Sequence, residues 1–255
     1  MSASAEIPTP LAARRGGDSA PQRSRQEAAR PHKQTPAREA YRIWAPQYAA
    51  ENAVTALEDA AVRRMTPALR GRSLLDAGCG TGRRLPGAAA GLRRCVGIDL
   101  VPEMLNAGRD AGEAARHLVA GDLLHLPLRD GLFDTLWCRL VLGHIQTLAD
   151  AYHELARVAR AGASLIVTDF HPAAAAAGHT RSFRAANGQV VTVEHQVHTD
   201  GMHTAAAERA GWVLREQRDL LVGPEVRPFY ERANALERYR VQRGLPLVLQ
   251  LSFQR

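Results

Sequence analysis

The chain has 255 residues, of which 45% are hydrophobic, with three cysteines and a formal net charge of +7 at pH 7. One domain of this size can bury a sizeable core, and the absence of any apolar stretch near the roughly 20 residues of a membrane span argues against a membrane protein. The basic residues, all arginine except Lys33, are scattered along the chain, which favours a solvated surface over a nucleic-acid groove.

The cysteine spacing fits neither a disulfide framework nor a zinc site, which indicates reduced thiols and a cytoplasmic location. Residues 1–40 contain five prolines and neither aromatic residues nor apolar periodicity. This composition predicts a disordered or loosely attached tail, followed by one domain over residues 41–255. We expect a soluble protein with a small-molecule substrate; the sequence does not indicate the oligomeric state.

The ordered part is predicted to begin at an aromatic segment that contains Tyr41 and Tyr48. Pro46 either interrupts this segment or occupies the first turn of a new helix. Alanine-rich residues 50–69 have apolar positions at helical spacing and predict the next helix.

A glycine-rich loop follows a short apolar run over residues 74–82, Leu-Leu-Asp-Ala-Gly-Cys-Gly-Thr-Gly. Three alternate glycines indicate the end of a buried strand at which a ligand approaches bare backbone. The spacing differs from the dinucleotide fingerprint G-x-G-x-x-G, because the sixth position from Gly78 is Arg83. A carboxylate at Asp76 suits a ligand with an ammonium or sulfonium group better than a pyrophosphate.

This loop resembles the first motif of the class I S-adenosylmethionine (SAM)-dependent methyltransferases, D-x-G-x-G-x-G. The resemblance implies a doubly wound, Rossmann-like α/β fold whose seven-stranded sheet is mostly parallel, with the last strand antiparallel. It also implies SAM as the cofactor, with contacts from Asp76, Gly78, Gly80 and Gly82. Two alternatives stay open: a nicotinamide-dependent oxidoreductase, and a SAM-binding protein without catalytic activity.

The next two predicted strands also end in acidic residues. Asp99 closes the run Arg94–Leu100, where an acid typically binds ribose hydroxyls, although an N-cap for the next helix is the alternative. By resemblance, Asp122 and Leu123 contact adenine at the end of the third strand, and Leu100 also contacts the cofactor.

The fourth predicted strand, within residues 133–142, lacks the N/D-P-P-Y/F signature of base-modifying methyltransferases. The turn after it, Gly-His-Ile at 143–145, resembles the L-x-H-I/V turn of the type 11 (ubiquinone-methylase-like) small-molecule branch. The resemblance places Cys138 at the cofactor and Arg139 at the substrate. His144 either caps the following helix or faces the substrate as a candidate catalytic residue.

In the same branch, the N-terminal segment closes over cofactor and substrate. Tyr41 and Tyr48 are therefore candidate substrate contacts, and simple packing onto the sheet is the alternative. The departures of this chain from the branch pattern are Arg42 in place of an acid, and Pro46.

Residues 103–115 and 148–159 predict helices, and residues 164–170 predict the fifth strand. Residues 171–203 follow as a predicted substrate-recognition insertion with five histidines. His171, at the strand end, is the candidate general base if the acceptor must lose a proton. His195 is a candidate substrate contact on a predicted strand at 189–198, where it and His198 face opposite sides, and we therefore expect no metal site.

The C-terminal part predicts a helix at 204–210, a strand at 211–222, a helix at 225–243 and a last strand at 245–253. Taken together, the pattern predicts a SAM-dependent methyltransferase that acts on an oxygen, nitrogen or carbon atom of a small molecule.

Overall fold

The computed structural model describes residues 34–85, 91–110 and 117–255. Most of the predicted tail and the end of the helix predicted at 103–115 lie outside these residues. The first described helix begins at Ala37, a few residues before the predicted boundary at 41.

Seven strands form one sheet in the order β3-β2-β1-β4-β5-β9-β8, and two short strands form a separate antiparallel pair, β6-β7. Strands β1 to β5 are parallel, whereas β9 runs antiparallel to both of its neighbours. The strands are β1 (Ser73–Ala77), β2 (Arg94–Asp99), β3 (Leu118–Ala120), β4 (Phe133–Arg139), β5 (Ala159–Phe170), β6 (Ser182–Arg184), β7 (Val190–Thr192), β8 (Val213–Leu221) and β9 (Pro246–Gln254). The predicted Rossmann-like fold with an antiparallel last strand is confirmed.

The described helices connect the strands and cover both faces of the sheet. They are α1 (Ala37–Trp44), α2 (Ala53–Met65), α3 (Pro102–Asp110), α4 (Leu148–Val158), α5 (Pro172–Ala176), α6 (Asp200–Arg209), α7 (Arg227–Arg232) and α8 (Leu236–Gln242). No helix of the described ranges is long and apolar enough to cross a membrane.

Successive residues of the central strands point to opposite faces of the sheet, because side chains alternate along a strand. Leu75 and Leu165 pack in the core under α4 and α6, while Leu74 and Ile166 pack on the opposite face with Val62 of α2. Both faces of these strands are buried, as in other parallel sheets with helices on each side.

The structure differs from the prediction after β5. The strand predicted at 189–198 is limited to β7, because the backbone of the following residues pairs elsewhere. Glu194 N donates to Thr35 O, and Gln196 N donates to Gly143 O. The helix predicted at 225–243 is divided into α7 and α8 at Asn234, whose φ is +52°.

The insertion is attached to the N-terminal helix. Trp44 of α1 stacks on Phe183 of β6, with ring centroids 4.5 Å apart and planes within 2°. Thr35 forms an isolated bridge with Val193. These contacts hold α1 and the β6-β7 hairpin over the same edge of the sheet, where the carboxyl ends of β1, β2, β4 and β5 meet.

Candidate functional site

The loop after β1 brings bare backbone to the carboxyl edge of the sheet. Gly78, Gly80 and Gly82 all have positive φ, between 60° and 79°, which favours glycine at each position. A Cβ added to Gly78 would lie 2.2 Å from Cγ2 of Val141. The missing side chain thus allows this loop to pack directly against the turn after β4.

Asp99 fixes the loop from the end of β2. Its Oδ2 accepts a hydrogen bond from Gly80 N at 2.8 Å, and its Oδ1 accepts one from Val101 N at 2.9 Å. The carboxylate therefore orients the glycine loop and the start of α3 together. At the end of β3, Asp122 Oδ1 accepts a hydrogen bond from Leu124 N at 2.9 Å.

A cleft opens above these strand ends and holds about 1080 Å³ of empty space including its mouth. We call it the cofactor cleft. It is lined by eight of the predicted site residues at the ends of β1, β2 and β3 and on the N-terminal segment, together with Arg139 and His144. The eight are Gly78, Gly80, Asp99, Leu100, Asp122, Leu123, Tyr41 and Tyr48.

Asp76 lies beneath the cleft rather than in its lining. It is 2% exposed, and its Oδ1 has no hydrogen-bond partner among the described residues. Burial raises the pKa of its carboxyl to about 6, although the positive charges of Arg139 and Arg84 oppose the rise. This carboxylate is therefore a buried group that lacks a full set of partners.

Arg139, predicted to contact substrate, belongs to a buried ion-pair network. Its guanidinium donates to both carboxylate oxygens of Glu58 at 2.8 Å and to Asp59 Oδ1 at 2.8 Å. Although burial alone would lower the pKa of Arg139, these carboxylates raise it above its usual value. The side chain lines the cleft, but its Nε and Nη2 are engaged with these carboxylates and join β4 to α2.

A second cavity, the acceptor cavity, adjoins the cofactor cleft and holds about 830 Å³ of empty space including its mouth. Tyr41, Tyr48 and Leu140 line both spaces. Leu140 has a φ of +58°, which is uncommon for a bulky residue, and its amide donates to Thr168 O at 2.9 Å. The two spaces therefore meet at the end of β4.

His144 is held in one tautomer at this junction. Its Nδ1 lies 3.1 Å from the carbonyl oxygen of Glu194, which only accepts, so Nδ1 carries the proton. Its Nε2 then accepts from Arg181 Nη1 at 2.8 Å and from the Tyr41 hydroxyl at 3.1 Å. Burial, together with Arg181, lowers the pKa of His144 to about 3. The imidazole is neutral, its lone pair is engaged, and it tethers the insertion and α1.

His171 lies outside both cavities. Its Nδ1 accepts from Ala173 N at 3.0 Å and caps α5, while its Nε2 lies 3.2 Å from Asp219 Oδ1 on β8. His171 therefore caps α5, and its role as general base stays a prediction. A histidine before a proline at a helix start is well placed to cap.

Three other predicted site residues also lie outside the linings of both cavities. The Cys138 side chain is fully buried in the core under α4, and it lies outside the lining of the cofactor cleft. Gly82 packs against Leu118, which would lie 2.7 Å from an added Cβ, and it also lies outside the cleft. His195 packs edge-on against Phe170 with ring centroids 5.3 Å apart and lines neither cavity.

Asp169, at the end of β5, gathers two histidines of the insertion. Its Oδ2 lies 3.4 Å from His198 Nδ1 and 3.3 Å from His203 Nε2, and all three side chains are buried. Burial would raise the pKa of Asp169, but the two histidines and the charge of Arg181 hold it well below its usual range. One potential metal-ligating atom from each of the three side chains lies within 4.8 Å of the others. With Asp169 Oδ1 accepting from Phe170 N, the cluster ties the insertion to β5.

Sequence reasoning missed two polar residues of the acceptor cavity, His179 and Arg181. Both lie in the insertion, where no motif separates them from neighbouring histidines and arginines. The sequence alone does not show which hydrogen-bond partners a single histidine or arginine has, so neither residue could be assigned to a site.

Residues 75–167 match the type 11 methyltransferase family, described as "Methyltransferase domain". A malonyl-[acyl-carrier protein] O-methyltransferase from Serratia marcescens is 38% identical over 96 residues, which cover 38% of this chain and 37% of that relative. A protein of the same description from Enterobacter lignolyticus (strain SCF1) is 34% identical over 129 residues, 49% of each chain. These matches span half or less of the curated relatives.

The fold is shared with solved structures. An S-adenosylmethionine-dependent methyltransferase from Mesorhizobium loti superposes with a TM-score of 0.61 at 22% identity, and the alignment covers 80% of this chain and 100% of that one. The segment that matches the family model, residues 75–167, begins within β1 and ends within β5. It therefore contains the glycine loop and the acidic strand ends.

Proposed function

Because the chain belongs to the class I SAM-dependent methyltransferases, in their type 11 branch, we propose that it transfers the SAM methyl group to a small-molecule acceptor. The observation that carries this proposal is the junction of the cofactor cleft with the acceptor cavity. Tyr41, Tyr48 and Leu140 line both spaces, so a cofactor in one space would present its methyl group to a molecule in the other.

The described residues fit SAM in the cofactor cleft. Asp99 is placed to accept hydrogen bonds from ribose hydroxyls with the lone pairs that Gly80 and Val101 leave free. Leu100 and Leu123 supply apolar contacts for adenine, and Asp122 is positioned to accept from its exocyclic amine. When bound, SAM supplies an electrophilic methyl group on a sulfonium sulfur.

Asp76 and the sheet edge suit the positive charge of this cofactor. A buried carboxylate with an unpartnered oxygen is stabilised by a nearby cationic ligand. The same Asp76 carboxylate would disfavour the pyrophosphate of a nicotinamide cofactor close to the glycine loop. None of the comparisons supports the nicotinamide alternative.

Methyl transfer is a direct displacement, and the chain contributes mainly by positioning the two reactants. Well-oriented reactants can reach effective molarities of about 10⁵–10⁸ M. Tyr41, Trp44 and Tyr48 form an aromatic wall over the junction, with Tyr41 and Trp44 stacked at 5.8 Å. With both reactants bound, this wall would shield the line between sulfur and acceptor from water.

His144 does not have a free lone pair with which to remove a proton from the acceptor. Acceptors that need no base to remove a proton before attack, such as a carboxylate or an unprotonated amine, therefore suit this site better than an alcohol.

A second candidate is O-methylation of an acyl group carried on an acyl-carrier protein, the activity named for the relatives from Serratia marcescens and Enterobacter lignolyticus. The engaged His144 favours this candidate, because a malonyl carboxylate is ionised at neutral pH and needs no base. Its substrate would be linked to a protein partner rather than free.

The test is release of S-adenosylhomocysteine (SAH) from SAM, followed by mass spectrometry with amines, phenols, carboxylic acids and malonyl-acyl-carrier protein as separate acceptors. We expect acceptor-dependent SAH in the wild type and a loss of at least about 10-fold in Asp99→Ala. SAM binding without SAH release for any acceptor would favour the non-catalytic alternative. Release with malonyl-acyl-carrier protein alone would favour the second candidate.

A further inference from the structure

His179 lies in the acceptor cavity with one ring nitrogen that lacks a partner. The side chain is 3% exposed, and Nδ1 makes no hydrogen bond within the described part of the chain. The other nitrogen, Nε2, lies 3.2 Å from the side-chain amide nitrogen of Gln242.

A relay of buried groups fixes which nitrogen of His179 carries the proton. The Tyr230 hydroxyl donates to Gln242 Oε1 at 2.8 Å, so the Gln242 NH₂ group faces His179 and donates to Nε2. The proton of the neutral ring is then on Nδ1. Burial and the charge of Arg238 lower the pKa of His179, which favours this neutral form. His179 thus offers a fixed N–H donor without an acceptor.

Arg181 contributes a cation to the same cavity. A guanidinium has five N–H donors, and its two observed acceptors, His144 Nε2 at 2.8 Å and Leu140 O at 2.9 Å, are both neutral. Within the described residues, no carboxylate forms an ion pair with Arg181, although the more distant Asp169 feels its charge. Both acceptors belong to residues that line the cofactor cleft, which places Arg181 at the cofactor end of the acceptor cavity.

The remaining walls of the cavity are mainly apolar and aromatic, and they include Trp44, Phe170 and Leu247. In these surroundings the Arg181 guanidinium has only neutral hydrogen-bond acceptors, and the buried His179 Nδ1–H has none among the described residues. Leaving a buried polar group unpaired costs free energy, so each of the two groups is stabilised by a ligand that supplies the missing oxygen.

We propose that the acceptor is a monocarboxylic acid with an apolar body, whose carboxylate is held by Arg181 and whose neutral carbonyl or hydroxyl oxygen accepts from His179 Nδ1–H. One arginine balances one negative charge, so a carboxylate fits better than a phosphate dianion. The carboxylate would lie toward the cofactor and the neutral oxygen near Gln242. This inference rests on the proposed function, since it assigns the second space to the methyl acceptor.

Calorimetric titration of the full chain saturated with SAH tests this assignment with three related probes. The first is 4-oxo-4-phenylbutyrate, which has a carboxylate and a ketone. The second is its primary amide, which lacks the charge, and the third is 4-phenylbutyrate, which lacks the ketone. We expect the acid to bind about 10-fold or more tightly than the amide, and about 5-fold more tightly than 4-phenylbutyrate.

Two variants assign these differences to residues. Arg181→Met should remove the preference for acid over amide, and His179→Phe should remove the preference for ketone over no ketone. Arg215→Met, which removes an exposed arginine on β8, serves as the control and should keep both preferences. If a variant fails to fold, the probe comparison on the wild type still decides the matching contact.

Equal dissociation constants for acid and amide, or no binding of any probe at 10 mM, would overturn the assignment. So would an unchanged acid preference in Arg181→Met. Each of these results, obtained on protein that SAH saturates, removes the carboxylate acceptor and leaves the proposed methyltransferase in place. Failure of SAH itself to bind would instead remove the proposed function.

Discussion

The hydroxyl of Tyr41 lies 3.1 Å from Nε2 of His144, which joins the first helix of the domain to the turn after β4. The rings also meet edge to face, with centroids 5.3 Å apart. Since His144 also accepts from Arg181, one neutral imidazole connects α1, the sheet edge and the insertion. The segments that cover the proposed cofactor and acceptor spaces, α1 and the insertion, are therefore joined through His144, which belongs to neither of them.

Tyr41→Phe should weaken this connection and keep the aromatic wall. Loss of one hydrogen bond of about 1 kcal/mol predicts a decrease of about 5-fold in kcat/KM for methyl transfer. Steady-state SAH production measures the change. Tyr239→Phe removes a hydroxyl from α8, outside both cavities, and should leave the rate unchanged; an equal loss in both variants would show that the Tyr41 contact has no special role.

His144 should make the folded state sensitive to mild acid. Its pKa is lowered from 6.5 to about 3, so below pH 6.5 the unfolded chain binds a proton that the folded chain does not. The stability from this neutral imidazole is complete above pH 6.5 and is lost as the pH falls toward 3. Between pH 7.5 and 5 we expect a decrease of about 1–2 kcal/mol in the free energy of unfolding.

Urea unfolding of His144→Gln, compared with the wild type at both pH values, isolates this contribution. The variant should be less stable than the wild type at pH 7.5, and the gap should narrow at pH 5. A gap that stays constant between the two pH values would contradict the lowered pKa.

Gly78→Ala should destabilise the domain and weaken cofactor binding. The new Cβ would lie 2.2 Å from Val141 Cγ2 and would also occupy a backbone with φ of +79°. Gly162→Ala is the matched control, since Gly162 has a φ of +77° and no atom within 4 Å of an added Cβ. The control measures backbone strain alone, about 1–2 kcal/mol, and Gly78→Ala should exceed it by at least about 1 kcal/mol. Similar losses in the two variants would show that Val141 yields without cost.

Asp76→Asn should stabilise the protein without cofactor and weaken SAM binding. Burial raises the pKa of Asp76 to about 6, so its charged form opposes folding above that pH, whereas below 3.8 both states are protonated. Removing the charge should therefore raise the free energy of unfolding by about 1–3 kcal/mol at pH 8, with little gain near pH 4. Denaturant titrations at both pH values and a SAM titration at pH 8 measure the two effects. Loss of stability at pH 8 would show that the ion-pair network needs this carboxylate.

The sheet and the cofactor-facing strand ends were predictable because their sequence patterns are local. A few adjacent residues are enough to recognise an apolar strand that ends at Gly78 and Gly80. The same is true of the acids at the ends of β2 and β3. Asp99 was expected either to bind ribose or to cap the next helix, and its Oδ1 does accept from Val101 N near the start of α3. The two interpretations are compatible, because a carboxylate oxygen accepts more than one hydrogen bond.

The acceptor side was less predictable because its partners are distant in sequence. The strand-end position of His171 predicts a general base, but the sequence does not indicate its contact with the remote Asp219. Arg139 is a predicted substrate contact, but the sequence does not indicate that Glu58, 81 residues earlier, accepts from its guanidinium. The fold pairs Arg139 with carboxylates and Arg181 with neutral acceptors. The sequence alone does not distinguish these two arginines.

Equilibrium binding of SAM and of NAD to the purified wild-type chain, measured by calorimetry, tests the central claim most directly. The account predicts saturable one-to-one SAM binding in the micromolar range, weakened at least about 10-fold in Asp99→Ala, and no measurable heat with NAD. Tighter binding of NAD than of SAM, or SAM binding that Asp99→Ala leaves unchanged, would contradict it.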